Sequence, residues 1–367
     1  MSDNIKHSEP LIRISKRDGL VFWKSWLVRV IAVALALVLC SVIIVAITGY
    51  NPLQVYSAMI RGSFGTARKF WIMLQNLAML LCISLAVTPA FKMRFWNIGA
   101  EGQVLVGGLA TAAVMFYAGD RLPSFVMILI MLVSSIAASV VWAVIPAFFK
   151  AKWNTNETLF TLMMNYVAIQ LVSFFIMLWV PSGSNVMGII NQGSKAGWLP
   201  EIFGQKYLLN IIIVALLTAV MFVYLKYSKH GYEISVVGES ENTARYIGIN
   251  VKKVILRTMA LSGAVCGLAG FLLVSGTNHT ITTTTAGGMG FTAIMVSWLG
   301  KFNSGIMVIT SFIIVFLQRG AGEIATKFNL NQSVADILTG IILFFIIGCE
   351  FFVNYKINLR SGHKEGK

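Results

Sequence analysis

The chain reads as an all-α polytopic integral membrane protein of about ten transmembrane helices with both termini cytoplasmic, and three observations lead there. Hydrophobic residues make up 57% of the 367 residues, charged residues 12%, and the mean hydropathy is +0.78; soluble domains carry about 25% charged residues. Apolar runs recur along the chain at lengths near the roughly 20 residues that a spanning helix needs. Lys and Arg then divide unevenly between alternate loops. With both termini inside, 21 fall on inner segments and eight on outer ones, in the sense of the positive-inside rule. The net charge of +15 is therefore distributed by topology and not gathered on one face, which excludes nucleic acid as a partner and leaves the lipid bilayer.

Taken in order, residues 1–26 form a basic cytoplasmic tail, with Trp23 and Trp26 where the first span enters the interface. A transmembrane domain follows over 27–352, and residues 353–367 form a second basic tail. Span one is 27–49, broken by Asn51-Pro52, and an outer loop runs to Lys69. Span two is 70–90, closed by Pro89. The stretch 95–108 leads into span three, which ends near 118; span four is 124–149 and span five 159–180. The longest outer loop, 181–206, is rich in Gly, Ser and Asn. Span six is 207–225 and span seven 254–274. The Thr run 277–285 is an outer loop or a re-entrant piece, since Thr is β-branched and poor in helices. Span eight, 287–300, is short for a crossing; spans nine and ten are 306–318 and 334–352.

Polar residues at membrane depth are costly and so become functional candidates. Asn97, Glu101 and Gln103 stand among Gly99 and Gly102 in the sequence WNIGAEGQ, where glycines let a chain break inside the bilayer if protein or water surrounds it. Glu101 alternatively opens span three, where a carboxylate suits the helix dipole. Asn165 lies within span five, as a pathway residue or as an interhelical hydrogen bond. Gly263, Gly267 and Gly270 in SGAVCGLAG fit close helix contact.

The segment 229–253 is the longest polar piece between two inner span ends. Its helical core has Ser240 as N-cap, Glu241 in the first turn, then Asn242, Thr243, Ala244, Arg245 and Tyr246, with Gly248 ending it. A hairpin between spans needs polarity but not a helix, so the segment reads either as an ordinary loop or as a helix that docks on a soluble partner. The chain has no GxxxxGK[ST], GxSxG or HExxH pattern, which leaves no readable nucleotide or catalytic site. Its four cysteines sit inside apolar runs without a CxxC pair, and its four histidines are scattered; neither disulfide nor metal site is legible.

Four blocks occur together and in order: FWNIGAEGQVLVGG at 95–108, NETLFTLMMNYVA at 156–168, VGESENTARYIGINVKK at 237–253 with SGAVCGLAG at 262–270, and GMGFTAIMVSWLG at 288–300. Over roughly residues 27–350 the chain resembles the permease subunits of bacterial ABC importers for nucleosides and simple sugars, the branch paired with basic-membrane-protein-type binding lipoproteins. The resemblance implies an ABC importer permease fold in the bacterial plasma membrane. It implies an ABC ATPase subunit that alone binds ATP, a second permease that is a different paralogue, and an extracellular substrate-binding lipoprotein. The segment 238–248 becomes a coupling helix seated in an ATPase groove, using Gly238, Glu239, Asn242, Ala244, Arg245, Tyr246 and Gly248. The solute pathway runs past Asn97, Glu101, Gln103 and Asn165. Ser297-Trp298 departs from the small or aliphatic residues of the last block, so Trp298 either narrows a pathway or anchors at the interface. An ion- or proton-coupled carrier is the alternative; it needs titratable groups at mid-membrane, and only Glu101 and Asp336 approach that. A membrane enzyme needs a catalytic cluster.

Overall fold

The computed structural model describes residues 12–17, 22–180 and 187–359; the ends of both tails and the start of the 181–206 loop lie outside them. In chain order the elements are β1 (Ile12–Lys16), α1 (Phe22–Thr48), α2 (Pro52–Phe64), α3 (Ala67–Lys92), α4 (Ala100–Ala118) and α5 (Ser124–Trp153). There follow α6 (Glu157–Trp179), α7 (Leu208–Tyr227), α8 (Lys229–Glu239), α9 (Glu241–Tyr246) and α10 (Val251–Leu273). The chain closes with α11 (Met289–Leu299), α12 (Ser304–Lys327), α13 (Gln332–Asn354) and β2 (Tyr355–Leu359). They form two compact units, residues 66–316 and residues 1–65 with 317–367.

In the smaller unit α1 packs along α13, and β1 pairs antiparallel with β2, Ile12 opposite Leu359 and Lys16 opposite Tyr355. This ribbon joins two segments expected as separate tails. It sets the strand before α1 beside the strand after α13, so both lie on one side. Residues 52–64, expected as outer loop, are helical. The Asn51 side chain accepts the Leu53 N–H at 2.9 Å and Pro52 occupies the first helical position, which makes Asn51-Pro52 a helix start as well as a span end.

In the larger unit α10 touches α3, α4 and α5. The glycines of SGAVCGLAG allow this: a Cβ on Gly267 would stand 2.7 Å from the Ser135 carbonyl and one on Gly270 2.5 Å from the Gly108 nitrogen. Ser135 uses the same contact to donate its hydroxyl to the Gly267 carbonyl at 2.7 Å. Pro89 does not close span two, because α3 continues past it to Lys92.

The expected count of about ten spans, one of them short, is only partly matched. Among the described residues eight helices are long and apolar enough to cross: α3, α4, α5, α6, α7, α10 with its extension to Asn278, α12 and α13. The apolar stretch of α1, Val30–Ala46, is shorter, and so is α11. At 1.5 Å per residue α11 covers roughly 16 Å, about half of a hydrocarbon core.

Candidate functional site

Two regions hold the polar residues singled out in the sequence. The first is a break in the membrane-embedded part. After α3 the chain runs without helix from Arg94 to Gly99 and only then enters α4. This stretch meets α6 and α10 well inside their lengths: Asn165 lies about two turns into α6 and Ser262 about three turns into α10, roughly 12 and 16 Å from their N-terminal ends. Irregular backbone at such depth needs partners within the protein, and the buried polar residues supply them.

Asn97 donates to Ser262 Oγ at 3.1 Å and to Gln103 Oε1 at 3.4 Å, and its own Oδ1 accepts from Gln103 at 3.1 Å and from the Gly99 N–H at 3.1 Å. Asn165 accepts the Gly102 N–H at 2.8 Å and donates to the Ile98 carbonyl at 2.9 Å. Thr161 Oγ1 takes the Ile98 N–H at 3.2 Å, and Ser139 donates to the Gln103 carbonyl at 3.0 Å. Asn97, Glu101, Gln103 and Asn165 are all buried.

Glu101 closes a second break. The backbone turns through Gly287 and Gly288, both with positive φ, a region glycine enters without a Cβ clash, and α11 then starts. Glu101 accepts the Gly288 N–H on Oε1 and the Gly290 N–H on Oε2, each at 2.8 Å. One carboxylate thus stands in the first turn of α4 and at the N-terminus of α11, where both helix ends favour negative charge. Glu101 opens α4, as one of its two expected roles has it, and also holds the start of a half-length helix. At the other end of α11, Ser297 bonds Thr88 at 2.9 Å. There Trp298 joins Trp96, Phe91 and Phe302 in a ring cluster with Trp–Trp centroids 5.9 Å apart, both Trp side chains half exposed.

The second region is the segment after α7. The helix expected at Ser240 is there as α9: Ser240 Oγ accepts the Thr243 N–H at 3.2 Å and Gly248 ends the turn at φ +85°. It is not one helix from 238 to 248, however. A separate helix, α8, precedes it, with Gly231, Ile234, Val237 and Gly238 buried. Gly238 belongs to α8 and packs so closely on the Lys92 carbonyl of α3 that a Cβ would collide with it. Ala244 is also fully buried. Both were expected to face a partner; both are buried, Gly238 because α8 packs closely on the end of α3 and Ala244 on the inward side of α9. Outward stand Glu239, Asn242, Arg245, Gly248 and Tyr246, the last 92% exposed. Arg245 pairs with Glu241 one turn back at 3.0 Å, an exposed pair of little energetic weight. A sequence reading omitted α8, although its buried positions at three- and four-residue spacing signal an amphipathic helix.

Residues 70–347 match the family model described as branched-chain amino acid transport system / permease component. The chain belongs to this family. Its members are permease subunits of ABC transporters, which are transport components and not enzymes, and the family implies an ATPase and a substrate-binding partner. A guanosine ABC transporter permease of Bacillus subtilis is 31% identical over 87% of this chain and 92% of its own. A glucose ABC transporter permease of Haloferax volcanii is 27% identical over 95% and 94%. A nucleoside ABC transporter permease of Lactococcus lactis is 25% identical over 87% and 90%. A solved ABC transporter of metal-chelate type, facing inward, aligns at 13% identity with a TM-score of 0.48 over 88% of this chain and 98% of its own. The chain is therefore a multi-pass permease subunit of an ABC importer, and the ion-coupled carrier is set aside.

Proposed function

We propose that this permease carries a nucleoside or a closely related sugar inward across a bacterial plasma membrane. The observation that carries the solute class is the 31% identity, over nearly the whole of both chains, to a permease named for guanosine, with a nucleoside and a glucose permease beside it. ATP is bound and hydrolysed on the ATPase, and the solute arrives from an extracellular binding lipoprotein. A second, different permease completes the pore. Both termini are cytoplasmic, which agrees with the charge distribution and with the β1–β2 pairing. The ATPase groove meets the outward face of α9, chiefly Asn242, Arg245 and Tyr246. Asn97, Glu101, Gln103 and Asn165 serve the pathway by holding two broken segments in place.

The test is uptake of labelled guanosine and labelled glucose by cells lacking the chain and by complemented cells. Complementation restores guanosine uptake, with unlabelled nucleosides competing; uptake of neither solute overturns the solute class. Topology is checked separately, since all four native cysteines are buried. A cysteine at Ser194 reacts with an impermeant thiol reagent from outside and one at Asn242 does not.

A further inference from the structure

Beside α9 lies a cleft of about 380 Å³ that shares only Gly248 with the residues assigned to docking and none with the transport pathway. It lies where the loop 247–250 turns into α10 and where α8 leaves α7. Its walls carry Lys229, His230, Lys253 and Arg257 against a single carboxylate, Glu233. Glu233 is already satisfied by Arg257 Nη2 at 2.7 Å. Lys229 and Lys253 are exposed and form no ion pair among the described residues. The cleft therefore holds two cations beyond those its carboxylate neutralises.

A second feature asks for an acceptor. Arg257 Nε–H is buried and meets no acceptor in hydrogen-bond geometry, although the Tyr224 phenol lies beside the same guanidinium. A buried donor left unpaired costs free energy, and the Arg257 side chain, which lines the cleft, is one-quarter exposed through the rest of its guanidinium and stem. The 23-residue α10 also begins here, Asn250 capping it through the Lys253 N–H at 3.1 Å, so the positive end of its dipole adds to the field.

We propose that this cleft binds a phosphate ester. The anion sits between Lys229 and Lys253 and accepts from Arg257, and the cleft has room for the glycerol or ribose attached to it. Basic pockets at the inner ends of membrane helices take anionic lipid headgroups, and a soluble nucleotide offers the same group; only this choice of source draws on the cytoplasmic placement proposed above. Once bound, the ester ties α8 to the start of α10 and so stiffens the mounting of α9.

The experiment uses the full chain in nanodiscs and compares wild type with the double variant Lys229→Ala/Lys253→Ala and with Lys252→Ala, an exposed neighbour outside the cleft. One arm reads retention of phosphatidylglycerol by native mass spectrometry. The other reads calorimetric binding of AMP and of inorganic phosphate in phosphatidylcholine discs. Wild type binds in at least one arm, the double variant loses about tenfold in that arm, and Lys252→Ala does not. Binding in the first arm alone identifies the lipid, and in the second alone the soluble ester. Binding in neither arm, or an equal loss in Lys252→Ala, overturns the proposal. Uptake is not read, so failure here is separate from failure of the transport reading.

Discussion

The break between α3 and α4 and the segment from α8 to α10 use the same residue types to opposite ends. Each draws on Asn, Glu and Gly in short order, the break with Glu101 from the first turn of α4, and each follows the C-terminal end of a long helix. Around the break the polar side chains are buried and meet backbone groups that have lost their helical partners, as Asn97 does for Gly99 and Asn165 of α6 for Ile98 and Gly102. On the far side of Lys92, α9 keeps Ala244 inward and turns Asn242, Arg245 and Tyr246 out. Buried polar groups are held by the need for partners, whereas exposed ones are held weakly, as Arg245 is by Glu241. A polar residue in a membrane protein thus signals function only when its hydrogen bonds are not already taken.

The sharpest way to break this contrast is Glu101→Ala. It leaves the part-buried Gly288 N–H and the buried Gly290 N–H without their charged acceptor, at up to about 1.5–3 kcal/mol each, so we expect a loss of roughly 3–6 kcal/mol and little protein accumulating in the membrane. Glu101→Gln keeps one acceptor and gives an intermediate thermal midpoint in detergent. Normal accumulation of Glu101→Ala with defective uptake would instead make the residue part of the pathway.

Gly238→Val comes next. Its side chain meets the Lys92 carbonyl, and overpacking of this kind costs about 1–3 kcal/mol, read as a lower thermal midpoint. The outward face behaves otherwise. Tyr246→Ala with Asn242→Ala changes stability by less than about 0.5 kcal/mol but lowers solute-stimulated ATP hydrolysis in the reconstituted importer severalfold. Unchanged stimulation moves the docking surface away from α9.

The smallest effect concerns acid. The Arg257 guanidinium beside Glu233 holds its carboxyl below the ordinary glutamate range. A depressed carboxyl contributes stability that is fully present above its unfolded value, about 4.3, and disappears as pH falls through the folded one. The difference in thermal midpoint between wild type and Glu233→Gln is therefore constant from pH 5 to 8 and shrinks below pH 4. A difference that grows on acidification contradicts this sign.

Much of this was written along the chain. Apolar runs against a core of about 30 Å dictate spanning helices, and Ser240 with Gly248 dictates a short capped helix, because each depends on neighbours a few residues away. Motif blocks also sufficed to indicate the family. What the chain order conceals is which distant groups satisfy one another. Glu101 meets Gly288 and Gly290 from nearly two hundred positions away, Gly238 reaches Lys92, and β1 meets β2 from the opposite end of the chain. A carboxylate in a glycine-rich stretch reads equally as a solute ligand or as a helix cap. Only the folded chain shows that two distant orphaned amides come to it, since hydrogen bonds are decided by distance in space and sequence records distance along the backbone.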